Sequence, residues 1–173
     1  MKLLVVVDFQ TDFVDGVLGF EDALFLDEVI AKRISEYHQN KDQVIFTLDT
    51  HDSDYYKTLE SQIIPVLHCI KGTVGHKIYG KTAVEIQDSD IFFEKDTFAS
   101  IQLAKYLEGK EYESVELVGL VSNICVLANA IMVSSVLRDT EIIVRADCTD
   151  SFDKTLHEKC LDIMEGLNIT VIR

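Results

Sequence analysis

Positive charge is scarce in this chain. Lysine and arginine together number 16 against 30 aspartates and glutamates, which gives a formal net charge of −14. No local cluster of basic residues offsets this excess of acid. Because nucleic-acid and lipid phosphates repel such a surface, the composition argues against nucleic acid and against an anionic membrane as partners. The acidity is explained most simply as a contribution to solubility.

Long apolar runs and paired cysteines are also missing. No apolar stretch reaches the roughly 18–20 residues that span a bilayer. The apolar run at Met1–Val7 leads directly into "DFQTDF", without the features of a secretory signal. No CxxC pair occurs among the four cysteines, which are Cys69, Cys125, Cys148 and Cys160. We therefore expect a cytoplasmic protein with reduced thiols.

Proline and low-complexity sequence are almost absent. The single proline, Pro65, lies in an irregular stretch of about Thr50–Asp88, which is too long for a plain connection and is expected to carry function. No repeat or linker-like segment marks a domain boundary. The 173 residues, 47% of them hydrophobic, suffice for one hydrophobic core. We predict a single domain over residues 1–173.

Short apolar runs alternate with helical patterns along the chain. Runs rich in β-branched residues predict buried strands at 2–7, 43–48, 90–94, 114–119, 141–145 and 169–172. Between them, helical patterns occur at about 23–38, 100–108, 125–138 and 154–166. This alternation predicts an α/β fold with three layers, doubly wound, around a six-stranded and mainly parallel sheet.

Reactive side chains follow several of the predicted strands. In a doubly wound sheet, ligands bind beyond the carboxyl ends of the strands, where the strand order reverses. With the order 3-2-1-4-5-6, strands one and four are neighbours at that point, which brings Asp8 and Cys125 together. Lys95 follows strand three at the edge of the sheet, so this lysine must reach inward. Asp147 follows the fifth predicted strand.

Cys125 stands between a buried strand and a predicted helix, in "GLVSNICVLANA". Most such cysteines are simply small buried apolar residues. The N-terminus of a helix, however, favours the thiolate, and a neighbouring carboxylate can act as its base. The convergence of Asp8, Lys95 and Cys125 on one edge of the sheet favours a catalytic site.

A second group of side chains has the composition of a metal site. Asp49 and His51 follow the second strand in "TLDTH", and His68 returns in "PVLHCIKGTVG", with Glu60 between them. Two imidazoles with one or two carboxylates suit Zn²⁺ or Fe²⁺, with positions left open for water. A DxH pair alone is more often a hydrogen-bonded loop, and His68 makes the metal site the favoured interpretation.

These segments together resemble the isochorismatase-like cysteine hydrolases, and in particular their nicotinamidase-like branch. The resemblance extends over nearly the whole chain, from "VVVDFQTDFV" through "TLDTH", "LHCIKGTVG", "FEKDTF" and "GLVSNICVLANA" to "ADCTDSFD". It implies a catalytic triad of Asp8, Lys95 and Cys125. It also implies a non-proline cis peptide at Leu120–Val121, with an oxyanion hole formed by the amides of Val121 and Cys125.

The resemblance also implies a cofactor and a substrate pocket. The cofactor is a divalent metal, zinc first with iron or manganese as alternatives, and its ligands would be Asp49, His51, His68 and, as in some members, Glu60. Phe13 matches the family position that stacks on the substrate ring. Phe98 is expected to form a second wall of the pocket.

The implied reaction is hydrolysis of a small carboxamide, nicotinamide first, to the acid and ammonia through a thioester. Three departures from the family pattern affect the identity of the substrate more than the chemistry. Pro65 stands where tryptophan is common, Asn123 replaces an aspartate, and "HDSDYYKTLES" lacks an extra histidine. The alternatives are another small amide, such as a carbamoyl or ureido compound, and a noncatalytic α/β binding module. Many relatives assemble, so a homo-oligomer stays open.

The remaining cysteines and two histidines are expected to have structural or surface positions. Cys69 and Cys160 should pack in the interior, and Cys148 is left undecided. His38 and His157 lie on predicted helices and are expected at the surface.

Overall fold

A six-stranded sheet forms the centre of this computed structural model, which describes residues Met1–Arg173. In chain order its strands are β1 (Leu3–Val7), β2 (Gln43–Asp49), β3 (Ile91–Lys95), β4 (Ser114–Leu120), β5 (Glu141–Asp150) and β6 (Thr170–Ile172). They lie in the order β3-β2-β1-β4-β5-β6. All neighbouring strands are parallel. The predicted strand order is therefore confirmed, and the sheet is parallel throughout.

Helices connect the strands and cover both faces of the sheet. They are α1 (Thr11–Val14), α2 (Ala23–Gln39), α3 (Gly80–Val84), α4 (Ile101–Leu107), α5 (Leu127–Val136) and α6 (Lys154–Gly166). The long connection after β2 contains two 3₁₀ turns, Tyr55–Lys57 and Glu60–Gln62. None of the helices combines the length and the apolar character needed to cross a bilayer.

The core is divided between the two faces because successive strand residues point in opposite directions. Leu3, Val5 and Val7 of β1 pack into the cluster that also contains buried side chains of α4, α5 and α6. Leu4 and Val6 pack into the second cluster, with the apolar face of α2. All five side chains are fully buried, as expected for a strand in the middle of a parallel sheet.

Two helices begin at side chains that cap their free amide groups. Ser100 Oγ accepts a hydrogen bond of 3.2 Å from the amide of Leu103, at the start of α4. Asp153 Oδ1 accepts one of 3.0 Å from the amide of Leu156, in the first turn of α6. Such caps satisfy donors that the first turn leaves unpaired. Because α4 follows β3 and α6 follows β5, both first turns lie on the side of the sheet where the strands end.

The structure differs from the sequence prediction at the fifth strand and at two histidines. β5 continues to Asp150, with a shift of register against β4 between Leu117 and Gly119. Asp147 therefore lies within the strand and not at its end. His38 and His157 are not surface residues, because their side chains are only 7% and 11% exposed.

Gly119 provides a test of how closely β4 approaches β1. Its φ is +111°, and a Cβ atom there would lie 2.0 Å from the carbonyl oxygen of Val7. Gly109 also has a positive φ, +74°, but a Cβ atom there would meet nothing within 4 Å. We expect Gly119→Ala to lower the free energy of unfolding by about 3 kcal/mol or more, because strain and overpacking add.

The matched variant Gly109→Ala should cost only about 1–2 kcal/mol, because it carries the backbone strain alone. Urea denaturation of both variants measures the two values. Equal losses of stability would contradict the close approach of the two strands.

Candidate active site

Three charged side chains meet at the carboxyl edge of the sheet. Asp8 directly follows β1, and its φ of +46° is a left-handed conformation that aspartate tolerates better than most residues. Asp49 is the last residue of β2, and Lys95 is the last residue of β3. The parallel register pairs Asp49 with Lys95. Lys95 was predicted to extend inward from the edge strand, and it does so, since its side chain is only 2% exposed.

The ammonium group of Lys95 contacts all three groups around it. Its Nζ lies 2.6 Å from Asp8 Oδ2, 3.3 Å from Asp49 Oδ1 and 3.7 Å from Cys125 Sγ. The other oxygen of the Asp8 carboxylate, Oδ1, accepts a hydrogen bond of 2.7 Å from Thr47 Oγ1. Because buried charges are tolerated only when they are paired, this cation is required by the two carboxylates beside it.

Burial and the ion pairs shift the pKa values of these groups. Burial raises the pKa of Asp8, and Lys95 opposes that shift. Burial alone would lower the pKa of Lys95, but the carboxylates of Asp8 and Asp49 outweigh it and hold that pKa well above its ordinary value. Burial raises the pKa of Cys125 well above its ordinary range, with Lys95 opposing. Burial thus favours the protonated thiol, whereas a helix N-terminus by itself would favour the thiolate.

Cys125 lies in a π-helical turn, Ser122–Val126, which precedes α5. The cis peptide bond implied by the resemblance is present at Leu120–Val121. The carbonyl of Val121 accepts hydrogen bonds from the amides of Ile124 and Val126, at 3.1 and 3.2 Å, whereas the amide of Val121 donates to no protein group. That amide is free to receive a ligand oxygen.

The turn Ser122–Val126 is held from two sides by side chains for which the sequence analysis assigned no such role. Asn129 Nδ2 donates hydrogen bonds to the carbonyls of Cys125 and Phe98, at 2.8 and 3.0 Å. On the other side, His157 Nδ1 lies 2.9 Å from Ser122 Oγ. This contact explains why His157 is buried. Only the spacing of Asn129, one helical turn after Cys125, could have indicated its role.

A mostly apolar pocket opens directly above Cys125. Its walls are formed by Phe13, Leu18, Ile64, Phe98, Ile124 and Phe152. Both phenylalanines predicted to contact the substrate are thus among the lining residues. Phe152, which follows β5, leaves 59% of its surface exposed, and its ring contacts that of Phe20 edge to face. Apolar walls with a few polar groups are typical of sites that bind small molecules.

The predicted metal ligands converge at one end of this pocket. One ligand atom from each of Asp49, His51, Glu60 and His68 lies within 4.8 Å of the others. Nε2 of His51 and of His68 lie 2.9 and 3.1 Å from Asp49 Oδ2, and 3.6 and 3.7 Å from Glu60 Oε1. Two imidazoles and two carboxylates that face a common point are the donor set of a Zn²⁺ or Fe²⁺ site.

The surroundings of these ligands fit a cation. His68 Nδ1 lies 2.7 Å from the carbonyl of Val66, which leaves Nε2 as the ligating nitrogen. Burial alone would lower the pKa of His51, but hydrogen bonds with Asp49 and Glu60 outweigh it and raise the pKa to about 9. Burial alone would raise the pKa of Asp49, but hydrogen bonds from His51 and His68 hold it below its usual range. The carboxylates of Asp49 and Glu60, which raise the pKa of His51, would attract a metal ion in the same way.

Gln10 fixes the position of Asp49 and was missed by the sequence analysis. Its Nε2 donates hydrogen bonds to the carbonyls of Asp49 and His76, at 2.9 and 2.8 Å. Its Oε1 accepts one of 2.8 Å from the amide of Asp49. Gln10 is fully buried. A polar residue two positions after Asp8 in "DFQTDF" was the available signal.

The other candidates lie outside the site. Asp147 pairs with Arg145, with 3.0 Å between Oδ1 and Nε, and makes no hydrogen bond to Asp8, Lys95 or Cys125. Cys69 and Cys160 are buried as expected, and Cys148, which was undecided, is buried as well. Among the four thiols, only that of Cys125 lines the apolar pocket.

Comparison with known proteins agrees with this geometry. The family model of the isochorismatase domain matches residues 2–173. The uncharacterized isochorismatase family protein PncA of Bacillus subtilis (strain 168) is 29% identical over 167 residues, which cover 90% of each chain. The chain thus belongs to the isochorismatase family, on the nicotinamidase-like branch of amidohydrolases.

Two solved structures show how closely the fold is shared. The pyrazinamidase/nicotinamidase of Streptococcus mutans UA159 has a TM-score of 0.88 at 27% identity, covering 99% of this chain and 100% of that one. The pyrazinamidase of Pyrococcus horikoshii, solved in complex with zinc, has a TM-score of 0.87 at 20% identity, covering 99% and 98%.

The position of Cys125 predicts a selective and pH-dependent alkylation. A small neutral reagent such as iodoacetamide should label Cys125 alone in the folded protein, because the other three thiols are buried away from the pocket. Since the pKa of this thiol is raised, the labelling rate should climb from about pH 6 to about pH 9 without a plateau. Peptide mass spectrometry after timed labelling measures it, with Cys125→Ala as the control. A plateau near neutral pH would contradict the raised pKa.

Proposed function

We propose that this protein hydrolyses the carboxamide of a small heteroaromatic amide, with nicotinamide as the foremost substrate, to the acid and ammonia. The observation that carries the proposal is one pocket lined by Cys125, with Asp8 and Lys95 beside it, and by three of the four predicted metal ligands, Asp49, Glu60 and His68. The reaction would take place within one domain. The free thiols are compatible with the reducing cytoplasm, where we expect the protein to act.

The first half of the reaction transfers the acyl group to sulfur. Asp8 takes the proton of the Cys125 thiol, and the sulfur attacks the carboxamide carbon. The carbonyl oxygen becomes negatively charged and is held by the amides of Val121 and Cys125, which form the oxyanion hole. Asp8 then gives its proton to the nitrogen, the C–N bond breaks, and ammonia leaves. A thioester between the acid and Cys125 remains.

The second half of the reaction consumes water. Asp8 is again a carboxylate after ammonia has left, so it can take a proton from a water molecule that attacks the thioester carbon. The same oxyanion hole stabilises the second tetrahedral intermediate. Its collapse breaks the C–S bond, the acid leaves, and the proton on Asp8 returns to the sulfur. Lys95 stays charged throughout, which prevents the two buried carboxylates from repelling each other.

Asp49, His51, Glu60 and His68 would hold the metal, for which we propose zinc by analogy with the zinc-bound pyrazinamidase. Zinc bound there would act as a Lewis acid and could coordinate the ring nitrogen of a pyridine amide. Phe13 and Phe98 would flank the ring. These roles orient the carboxamide toward Cys125, which is the main contribution that binding can make to such a reaction.

The pocket disfavours amides that carry a negative charge. Lys95 is already paired with Asp8 and Asp49, and the proposed metal would be neutralised by the carboxylates of Asp49 and Glu60. The other lining side chains are mostly apolar. A carbamoyl or ureido acid would have to bury its carboxylate without a partner, which is costly. This argues for a neutral ring amide over that alternative. A noncatalytic binding module would have no use for a thiol beside a buried carboxylate.

Ammonia release from a panel of amides tests the proposal. Nicotinamide should be hydrolysed, and an N-carbamoyl amino acid should not. Cys125→Ala should abolish turnover, because the nucleophile is gone. Cys160→Ala removes a thiol that does not line the pocket and should stay near wild type. Asp8→Asn keeps the shape of the side chain but cannot take the proton, so we expect a loss of about 10²–10⁴ in kcat. Turnover in Cys125→Ala would refute the thioester.

Metal removal tests the second half of the site. After dialysis against a chelator, KM for nicotinamide should rise, and added zinc should restore it. Glu60→Gln should weaken zinc binding by at least about tenfold, because a charged ligand is lost. His76→Gln is the matched control, since His76 is a nearby loop histidine outside the ligand group. Unchanged kinetics in protein shown to be metal-free would contradict the metal's role.

A further inference from the structure

Tyr55 packs against both histidines of the ligand group. Its ring lies edge to face against His51, at 4.6 Å between ring centroids, and against His68, at 5.1 Å. The two imidazoles are themselves 4.8 Å apart, so the three rings form one cluster. Tyr55 is only 1% exposed, whereas the adjacent Tyr56 is 62% exposed. The rotation of either imidazole is thus limited by the Tyr55 ring.

The hydroxyl group of Tyr55 bonds not to the histidines but to the turn that contains Glu60 and Ile64. It donates a hydrogen bond of 2.6 Å to the carbonyl of Ile64, nine residues further along the chain. Ile64 is a wall of the apolar pocket, and Glu60 lines the same pocket. The amide of Ile64 donates to the carbonyl of Glu60 at 2.8 Å. The wall and the acidic ligand therefore belong to one turn, to which Tyr55 is bonded.

Little else holds this turn in place. Leu59 and Ile63 are 80% and 78% exposed, so the segment of residues 58–64 contributes little to the core. Its other hydrogen bonds are internal, except that Thr58 bonds to the carbonyl of Tyr55 through its amide and its hydroxyl, at 2.9 and 2.8 Å. Apart from the Glu60 carboxylate, which faces His51 and His68, every polar contact that leaves the segment goes to Tyr55.

We propose that Tyr55 is a positioning residue that couples the metal site to the substrate pocket, with its ring orienting the histidines and its hydroxyl fixing the wall at Ile64. The two parts of the side chain have separable effects. Losing the ring should weaken metal binding, and losing only the hydroxyl should loosen the wall. The effect on KM rests on the proposed function, whereas the effects on metal affinity and on the 58–64 segment do not.

Three variants separate these effects. Tyr55→Phe keeps the ring and removes the hydroxyl, Tyr55→Leu removes both, and Tyr56→Phe is the matched control at the exposed neighbour. Zinc affinity is measured by competition with a chromogenic chelator. Amide hydrogen exchange is followed over residues 58–64, and kcat and KM are measured with nicotinamide.

In Tyr55→Phe, zinc affinity should stay within about twofold of wild type, because the ring still packs on both imidazoles. Exchange over 58–64 should become faster, and KM should rise about 3–10-fold with kcat nearly unchanged, which corresponds to the loss of one hydrogen bond. In Tyr55→Leu, zinc affinity should fall about 10–100-fold, as for other groups that orient metal ligands. Tyr56→Phe should match wild type in every measurement.

Unchanged exchange over 58–64 in Tyr55→Phe would overturn the role of the hydroxyl, whether or not Tyr55→Leu folds. Wild-type zinc affinity in folded Tyr55→Leu would overturn the role of the ring. If wild-type protein fails to hydrolyse nicotinamide, the proposed function is refuted, but the zinc and exchange measurements still decide the role of Tyr55.

Discussion

The buried ammonium group of Lys95 holds together the two parts of the site, which are the thiol of Cys125 with Asp8 and the candidate metal ligands around Asp49. Asp49 directs one carboxylate oxygen to this cation and the other to His51 and His68, while Asp8 pairs with the same cation. Two carboxylates so close together, out of contact with water, require a shared positive charge. The group around Cys125 and the candidate metal ligands therefore cannot vary independently, because the Asp49 carboxylate belongs to both.

Much of this arrangement could be predicted from the sequence, because it follows from a few regular elements. The predicted strand order put the ends of β2 and β3 at the same edge of the sheet and required Lys95 to reach inward, and the register then pairs Lys95 with Asp49. The same reasoning placed Asp8 near Cys125. The end of β5 could not be predicted, because it depends on a shift of register against β4 that no local pattern records.

The supporting side chains escaped prediction for a different reason. Gln10 binds a residue 39 positions away, and Tyr55 binds Ile64 across an irregular loop. Neither lies on a helix or strand whose periodicity would mark it as buried. His157 was assigned to the surface because a helical pattern does not reveal that its partner, Ser122, lies in a turn beneath it. Tertiary contacts of single polar groups leave little trace in composition or spacing.

The pocket is open to solvent on the side of Phe152 and closed near Cys125. It stands among the lining residues, yet more than half of its surface faces water, while Phe13 at 8% and Val121 at 6% are closed in by their neighbours. Bulk added to a bound molecule would therefore meet packed protein near the sulfur but water beside Phe152. Analogues extended toward that side would keep their reactive end in place and emerge into solvent, where a linker or reporter group could be attached.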